Sequence, residues 1–150
     1  MNRIYEPHKS SILDLDANVV CLVLYLVPFI SNMLTGLGML VWALPLAAFI
    51  LEKNSPLVKF HAAQALTIHV IMAVINLIVS VFTLFSAGFN LLIGINIFAI
   101  FGSVGIFGLL YAALTLGTAV LEIIGMVQSW KWISYRLPIV GSIADIFVKE

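Results

Sequence analysis

Charged residues in this chain fall into three short polar islands, which are separated by long apolar stretches. All seven lysines and arginines lie in residues 1–16, 52–59 and 131–150, and between these islands only Glu122 is charged. Apolar stretches of this length are typical of membrane-spanning helices, and basic loops strongly prefer the cytoplasmic side. The pattern predicts an all-α membrane bundle of four transmembrane helices in two hairpins, with both termini in the cytoplasm.

Turn signals divide each apolar stretch. A cluster of Pro, Ser, Asn, Thr and Gly in residues 17–51 predicts a turn near residues 31–36. Each arm then has about 15 residues, so this hairpin either spans the bilayer fully or enters without crossing, with the same sidedness in both cases. The second stretch predicts a third helix in residues 56–87 and a turn in residues 88–90. A short re-entrant or interfacial piece is predicted in residues 91–102, and a fourth helix in residues 105–130.

The last island has the pattern of an amphipathic helix. Ile139, Val140, Ile143 and Phe147 share one side of it, and Ser142, Asp145 and Lys149 face away. Such a helix lies on the cytoplasmic leaflet or docks onto the cytoplasmic face of the bundle. The chain is therefore interpreted as a single integral membrane domain over residues 1–150, with cytoplasmic residues 1–16, a helix bundle in 17–130, and a cytoplasmic or interfacial segment in 131–150.

Composition supports the same class. Hydrophobic residues make up 63% of the chain and charged residues 9%, whereas about a quarter of the residues of a soluble domain are charged. The lipid bilayer is the first expected partner, and the inner (plasma) membrane is the expected location. The formal net charge is zero, so nucleic acid is not an expected partner. Cys21 is the only cysteine, which excludes an intramolecular disulfide.

A polar stripe runs along the third helix. At 100° per residue, one face carries His61, His69, Asn76, Ser80 and Thr83. Polar groups that face lipid go unsatisfied, so the stripe is expected to face the bundle or a partner. Interhelical hydrogen bonding is favoured over a transport path. His61 and His69 lie roughly 12 Å apart along a helix, too far to share one ion, so no metal site is predicted.

Glu122 and His69 form the one predicted intramembrane polar pair. Glu122 lies about 13 Å before Lys131 and His69 about 15 Å after Lys59, so their depths match. An interaction between the two side chains is one interpretation. In the other, a protonated Glu122 is hydrogen-bonded to a backbone or hydroxyl group.

Positions 113, 117, 121 and 125 of the fourth helix are four residues apart. Small residues occupy three of them, Ala113, Gly117 and Gly125, and Leu121 occupies the fourth. Such spacing lets two helices approach closely, either within the chain or between copies in a homo-oligomer. Catalysis finds no support, because Ser103 lacks a nucleophile-elbow context and has no histidine on its segment. No phosphate-binding loop or metal-ligand cluster occurs, so we predict no catalytic residue and no cofactor.

Two short motifs resemble those of a known family. The first is LEKNSPLVKFHAAQAL, which carries Lys59, Phe60, His61 and Gln64, and the second is YRLPIVGSIAD, which carries Tyr135, Arg136, Pro138 and Gly141. Both are similar to motifs of small prokaryotic membrane proteins related to the twenty-kilodalton subunit of the chloroplast inner-envelope import translocon. The resemblance implies four helices with both termini on one side, and it implies little about activity.

Three non-enzymatic functions follow as expectations. The first is a scaffold or translocation-related subunit that binds other membrane proteins, copies of itself or a transiting polypeptide. The second is a small transporter whose site lies at the depth of His69 and Glu122. The third is protection against a membrane-active peptide.

Overall fold

The structure, a computed structural model, describes residues 2–33, 41–94 and 106–148. These residues form five helices and one pair of two-residue strands. In chain order the elements are β1 Arg3–Ile4, α1 Ala17–Met33, α2 Ala43–Leu51, α3 Pro56–Ile93, α4 Ile106–Trp130, β2 Ile133–Ser134 and α5 Val140–Phe147. The predicted helical class is confirmed, and the strand pair was not predicted.

Helix α3 begins where the sequence signals predict. Pro56 occupies its first position, where a missing N–H does no harm, and the Ser55 hydroxyl accepts a hydrogen bond from the Val58 N–H at 3.2 Å. The turn predicted at residues 88–90 is wrong, because α3 continues through them to Ile93. The helix ends instead at Gly94, which has a φ of +74°, a conformation that a residue with a Cβ rarely adopts.

The boundaries of the other helices differ in part from the predictions. Helix α4 agrees with its predicted range, apart from residue 105, which lies outside the described residues. Helix α1 continues past the start of the turn predicted at 31–36, and the rest of that turn lies outside the described residues. The re-entrant piece predicted at 91–102 is wrong at its start, because residues 91–93 belong to α3, and residues 95–102 are not described.

Two helices are long and apolar enough to cross a membrane, over Pro56–Leu92 and Gly108–Trp130. Their most apolar windows are only 11% buried, unlike the core helices of soluble proteins. Helix α2 has nine residues and is therefore about 13 Å long, too short to cross a hydrocarbon core of about 30 Å. The described residues thus contain two candidate membrane spans rather than four.

The chain divides into two compact units, and the hydrophobic core lies in the first, Met1–Val70 with Ala119–Glu150. One side of α1 packs against the first turns of α3 and against the segment that follows α4. Completely buried members of this core include Cys21, Tyr25, Leu57, Ala62 and Ala65. These contacts place the polar islands of the sequence beside each other in one folded unit.

The second unit, Ile71–Thr118, contains the distal part of α3 and the first half of α4. Most of its described side chains are exposed, and the large ones are apolar, such as Leu77, Phe85 and Leu116. An exposed apolar surface of this kind is typical of helices that face lipid or another protein.

The prediction of one apolar side on the C-terminal helix is wrong in part. Val140 is buried in the core, but Ile139 and Phe147 are exposed. The buried residues of α5 are instead Val140, Gly141 and Ala144, and Val140 belongs to the hydrophobic core. The helix therefore docks through this side, as one of the two sequence interpretations expected.

Candidate functional site

His61 and Gln64 on α3 hold the segment that follows α4. The Nε2 atom of His61 donates to the carbonyl of Ile133 at 3.0 Å. The Gln64 amide donates to the carbonyl of Tyr135 at 3.0 Å, and its oxygen accepts from the Leu137 N–H at 2.8 Å. Both side chains are completely buried, so these bonds satisfy backbone groups that water cannot reach. The two sequence motifs therefore bind each other directly.

The N-terminal segment adds a third layer to this contact. Strands β1 and β2 pair antiparallel, with Arg3 opposite Ser134 and Ile4 opposite Ile133. The Arg136 N–H donates to the side-chain oxygen of Asn2 at 3.1 Å. We call the assembly of residues 2–16, 52–55 and 131–148 the polar cap, and each of these segments contacts at least one of the others.

Glu52 ties residues 10–11 to the start of α3. Its carboxylate accepts hydrogen bonds from the hydroxyls of Ser10 and Ser11 and from the backbone N–H groups of Asn54 and Ser55, the latter two at 2.9 Å. Burial raises the pKa of the Glu52 carboxyl, but these hydrogen bonds outweigh burial and lower the pKa to about 2. Glu52 is thus a buried ionised group, which sequence reasoning missed although an acid three residues before Ser55 was a usable signal.

Tyr25 is the second residue that sequence reasoning missed. Its hydroxyl lies 3.0 Å from Nδ1 of His61 and 3.3 Å from the His61 carbonyl. Because Nε2 of the neutral imidazole carries the proton donated to Ile133, Nδ1 is free to accept from this hydroxyl. A single tyrosine within an apolar helix needs a hydrogen-bond partner, and that need was the available signal. Both ring nitrogens of His61 therefore have partners within the protein.

The remaining motif residues support the cap by packing and charge. The rings of Phe60 and His61 meet edge to face, with centroids 5.9 Å apart. Tyr135 packs against the core, and Arg136 forms an ion pair of 3.0 Å with Asp145 on α5. Lys59 lies in the first turn of α3. Pro138 lies just before α5, and Gly141 lies inside α5.

His69 and Glu122 lie next to each other inside the first unit. Nε2 of His69 is 3.6 Å from Oε1 of Glu122, and each side chain is 3% exposed. This distance is longer than a hydrogen bond, and Nε2 of His69 has no hydrogen-bond partner within the described part of the chain. In those residues no group of three or more metal-ligating side chains occurs. The pair is therefore a buried polar site with one unsatisfied atom.

The rest of the polar stripe and of the small-residue face is divided between the two units. Asn76, Ser80 and Thr83 are exposed in the second unit, unlike the buried His61 and His69. Ala113 and Gly117 are also exposed there, and a Cβ at Gly117 would meet nothing within 4 Å. A Cβ at Gly125, in contrast, would lie 2.7 Å from the Tyr25 ring, so Gly125 permits a close helix contact within the chain.

These features define a class of small helical membrane protein, in which a buried histidine and glutamine join the polar segments into a cap. A family model described as MamF/MmsF, the magnetosome magnetite crystal formation protein family, matches residues 16–144. The chain therefore belongs to this family, and a membrane location follows. No curated protein and no solved structure gives a significant match.

The family match corrects the resemblance drawn from the two motifs. The translocon-related family is wrong, because the matching model is that of the magnetosome family and, from residue 16 to residue 144, covers the first motif and all but the last residue of the second. The motif residues lie in the cap and in α3, where their hydrogen bonds hold the fold together. Short motifs with such a structural role do not separate one family of small membrane proteins from another.

Proposed function

We propose that this chain is a non-enzymatic scaffold of the magnetosome membrane, which binds other membrane proteins during magnetite crystal formation. The polar cap is the observation that carries the proposal. The buried groups that hold the cap together, Glu52 within it and His61 and Gln64 on α3, make hydrogen bonds to the chain itself. An enzyme needs reactive groups that converge on space for a substrate. Groups that instead join three segments of one chain support a folded surface for protein partners.

We infer that the cap faces the cytoplasm. Six of the seven basic residues belong to the cap or to the adjoining first turn of α3, the seventh, Lys149, follows the cap directly in the sequence, and basic residues prefer that side. In this arrangement α3 and α4 cross the bilayer. Helices α1 and α2 are about 25 Å and 13 Å long, so they enter from the cytoplasmic side and return to it. Both termini are then cytoplasmic.

The composition of the second unit supports an indirect role in crystal formation. Residues 71–118 contain no Asp, Glu or His. Carboxylates and imidazoles are usual protein ligands for iron. The proposed scaffold therefore contributes through its contacts with other proteins rather than through binding of the mineral by this unit.

Complementation of a deletion strain tests the scaffold. In a magnetite-forming host that lacks this chain, the wild type is expected to restore crystal size and number in electron micrographs. A Gln64→Leu variant, which leaves two backbone groups of the cap unpaired, is expected to restore neither. Gln128→Leu, which removes a similar amide from the end of α4, is the matched control. Normal crystals with Gln64→Leu at wild-type membrane abundance would contradict the role of the cap.

Reporter fusions test the sidedness separately. Reporters placed after Asp16, Asn54 and Glu150 are expected to report the cytoplasm, and one placed after Gly94 the opposite side. A reporter after Asn54 that is labelled from outside would overturn the arrangement.

A small transporter is the second candidate, and the buried pair His69 and Glu122 supports it. Ionisable groups inside membranes often mark an ion pathway. Purified protein in liposomes distinguishes the two functions. Proton or metal-ion flux that disappears in Glu122→Gln would establish transport, whereas the scaffold predicts no flux above that of empty liposomes.

A further inference from the structure

Helix α5 has three faces, and one of them is both apolar and exposed. At about 100° per residue, the face that packs on the core consists of three small or medium residues, Val140, Gly141 and Ala144. Ser142 and Asp145 lie together on a polar face. Ile146 and Phe147 lie on the third face, and their side chains are 65% and 64% exposed. Docking of α5 onto the core therefore leaves an apolar face of the helix uncovered.

The turn before α5 exposes a further large apolar side chain. Ile139 is 80% exposed and has a φ of +66°, a left-handed conformation that is an outlier for a β-branched residue. Such a conformation persists only where the surrounding structure holds it. Here the Val140 N–H donates to the Pro138 carbonyl at 2.7 Å, and the Gly141 N–H to the Leu137 carbonyl at 2.8 Å. The turn thus fixes Ile139 outside the core.

Hydrogen bonds to α3 place the segment before α5 at the boundary of the membrane. Residues 133–137 are hydrogen-bonded to His61 and Gln64. These two residues lie about 3 Å and 8 Å beyond Lys59 along α3, where the apolar part of the helix begins. On α4 the same boundary is marked by Trp130, which is 57% exposed. With α3 and α4 across the bilayer, α5 therefore starts near the level where lipid headgroups meet acyl chains.

The backbone of this segment is suited to a place with little water. The carbonyls of Ile133 and Tyr135 accept hydrogen bonds from α3 side chains, and the Leu137 N–H donates to one. The Tyr135 N–H donates to the Ile133 carbonyl at 2.9 Å, and Pro138 has no N–H. Irregular backbone at membrane depth is tolerated only where the protein supplies its hydrogen-bond partners. Residues 133–138 meet this requirement.

This position favours lipid over a soluble protein as the contact of the exposed face. An interfacial amphipathic helix buries its apolar face about 5 to 10 Å into the boundary of headgroups and acyl chains, and its polar face remains in water. Helix α5 has both faces, and Asp145 on the polar one is paired with Arg136 at 3.0 Å. A soluble partner, in contrast, binds surfaces that stand in water.

We propose that α5 is an interfacial helix, whose exposed face with Ile146 and Phe147 contacts the acyl chains of phospholipids in the leaflet on the side of the cap. A second face packs on the core, and the polar face remains in water. The inference goes beyond the proposed scaffold and does not depend on it, because α5 contacts lipid whichever proteins the cap binds. Both sequence interpretations of this helix then apply, each to a different face.

Spin labels on α5 in phosphatidylcholine liposomes test the contact. In a Cys21→Ala background, a label on Phe147→Cys is expected to collide more often with oxygen, which concentrates among acyl chains, than with a water-soluble nickel chelate. The matched control is Ser142→Cys, an exposed position about 140° around the same helix, where the reverse order is expected. A label on Phe147→Cys that prefers the chelate would overturn the proposal. Low accessibility to both reagents would also overturn it, because protein would then cover this face.

Hydrogen exchange of the α5 amides in phosphatidylcholine nanodiscs measures the contribution of the lipid contact. Phe147→Ser is expected to speed the exchange about tenfold, the order expected when a phenylalanine loses about half of its apolar burial. Phe147→Leu keeps a large apolar side chain and is expected to remain within about twofold of the wild type. Unchanged exchange in Phe147→Ser would refute the contribution of the contact. These measurements need no magnetite, so the lipid contact and the crystal phenotype can fail independently.

Discussion

Replacement of Glu52 by glutamine tests how much the hydrogen bonds of its carboxylate stabilise the polar cap. The carboxylate accepts from two serine hydroxyls and from the N–H groups of Asn54 and Ser55. A glutamine keeps one acceptor oxygen and turns the other into an NH₂ donor. Some of these donors then lose their acceptor, and the remaining bonds lose the strength that a negative charge provides. We therefore expect Glu52→Gln to destabilise the cap.

The magnitude follows from the pKa of Glu52. Although burial raises this pKa, the hydrogen bonds lower it from 4.5 to about 2. A shift of this size corresponds to about 3 kcal/mol of stability, since each pKa unit is about 1.4 kcal/mol. The pKa is lower in the folded state than in the unfolded state. The stabilisation is therefore complete above pH 4.5 and is lost as the pH falls toward 2.

Unfolding of detergent-solubilised protein by added SDS, followed by circular dichroism, measures this effect. At pH 7, Glu52→Gln is expected to lower the free energy of unfolding by about 3 kcal/mol. The difference from the wild type is expected to shrink between pH 4.5 and 2, where the wild type itself loses its carboxylate. Asp14→Asn, at an exposed position, is the control. A Glu52→Gln deficit that is no larger than that of Asp14→Asn, or that does not change with pH, would refute the reasoning.

Two further stability predictions concern the interior of the first unit. His69→Ala and Glu122→Gln are each expected to destabilise the protein in detergent. The double variant is expected to lose about 0.5 to 2 kcal/mol less than the sum of the two single losses. Additive losses would show that the two side chains do not interact. Gly125→Ala is expected to cost about 1 to 3 kcal/mol because its Cβ would overlap the buried Tyr25 ring. Gly117→Ala, which meets open space, is expected to be neutral or slightly stabilising, and an equal loss in both glycine variants would contradict the packing argument.

The pattern of apolar and charged residues was enough to predict the helical membrane class and most helix positions. Local signals mark two of the helix ends. A serine and a proline mark the start of α3 at Pro56, and an aromatic–basic boundary marks the end of α4 at Trp130. The equal depths of His69 and Glu122 were also predictable, because depth in a regular helix depends only on the number of residues. These features are local or periodic, so the sequence carries them directly.

The end of α3 shows where local signals fail. Gly88 and Asn90 are common turn residues, yet both lie within the helix. A helix in an apolar environment keeps its backbone hydrogen bonds, because no water competes for them, and a glycine alone does not end it. Gly94 ends the helix because its backbone adopts a positive φ. Which of several glycines does so depends on the surrounding fold.

Only the tertiary structure decided which polar groups bind each other. His61 contacts a carbonyl 72 residues later in the chain, and Glu52 contacts Ser10, which lies 42 residues before it. No spacing rule links positions so far apart, because these hydrogen bonds depend on how the segments dock after the helices form. The same docking buries His69 and leaves Asn76 exposed, although both residues lie on one stripe of one helix. The sequence by itself determined that stripe, and the packing of α1 and the cap determined which part of it is covered.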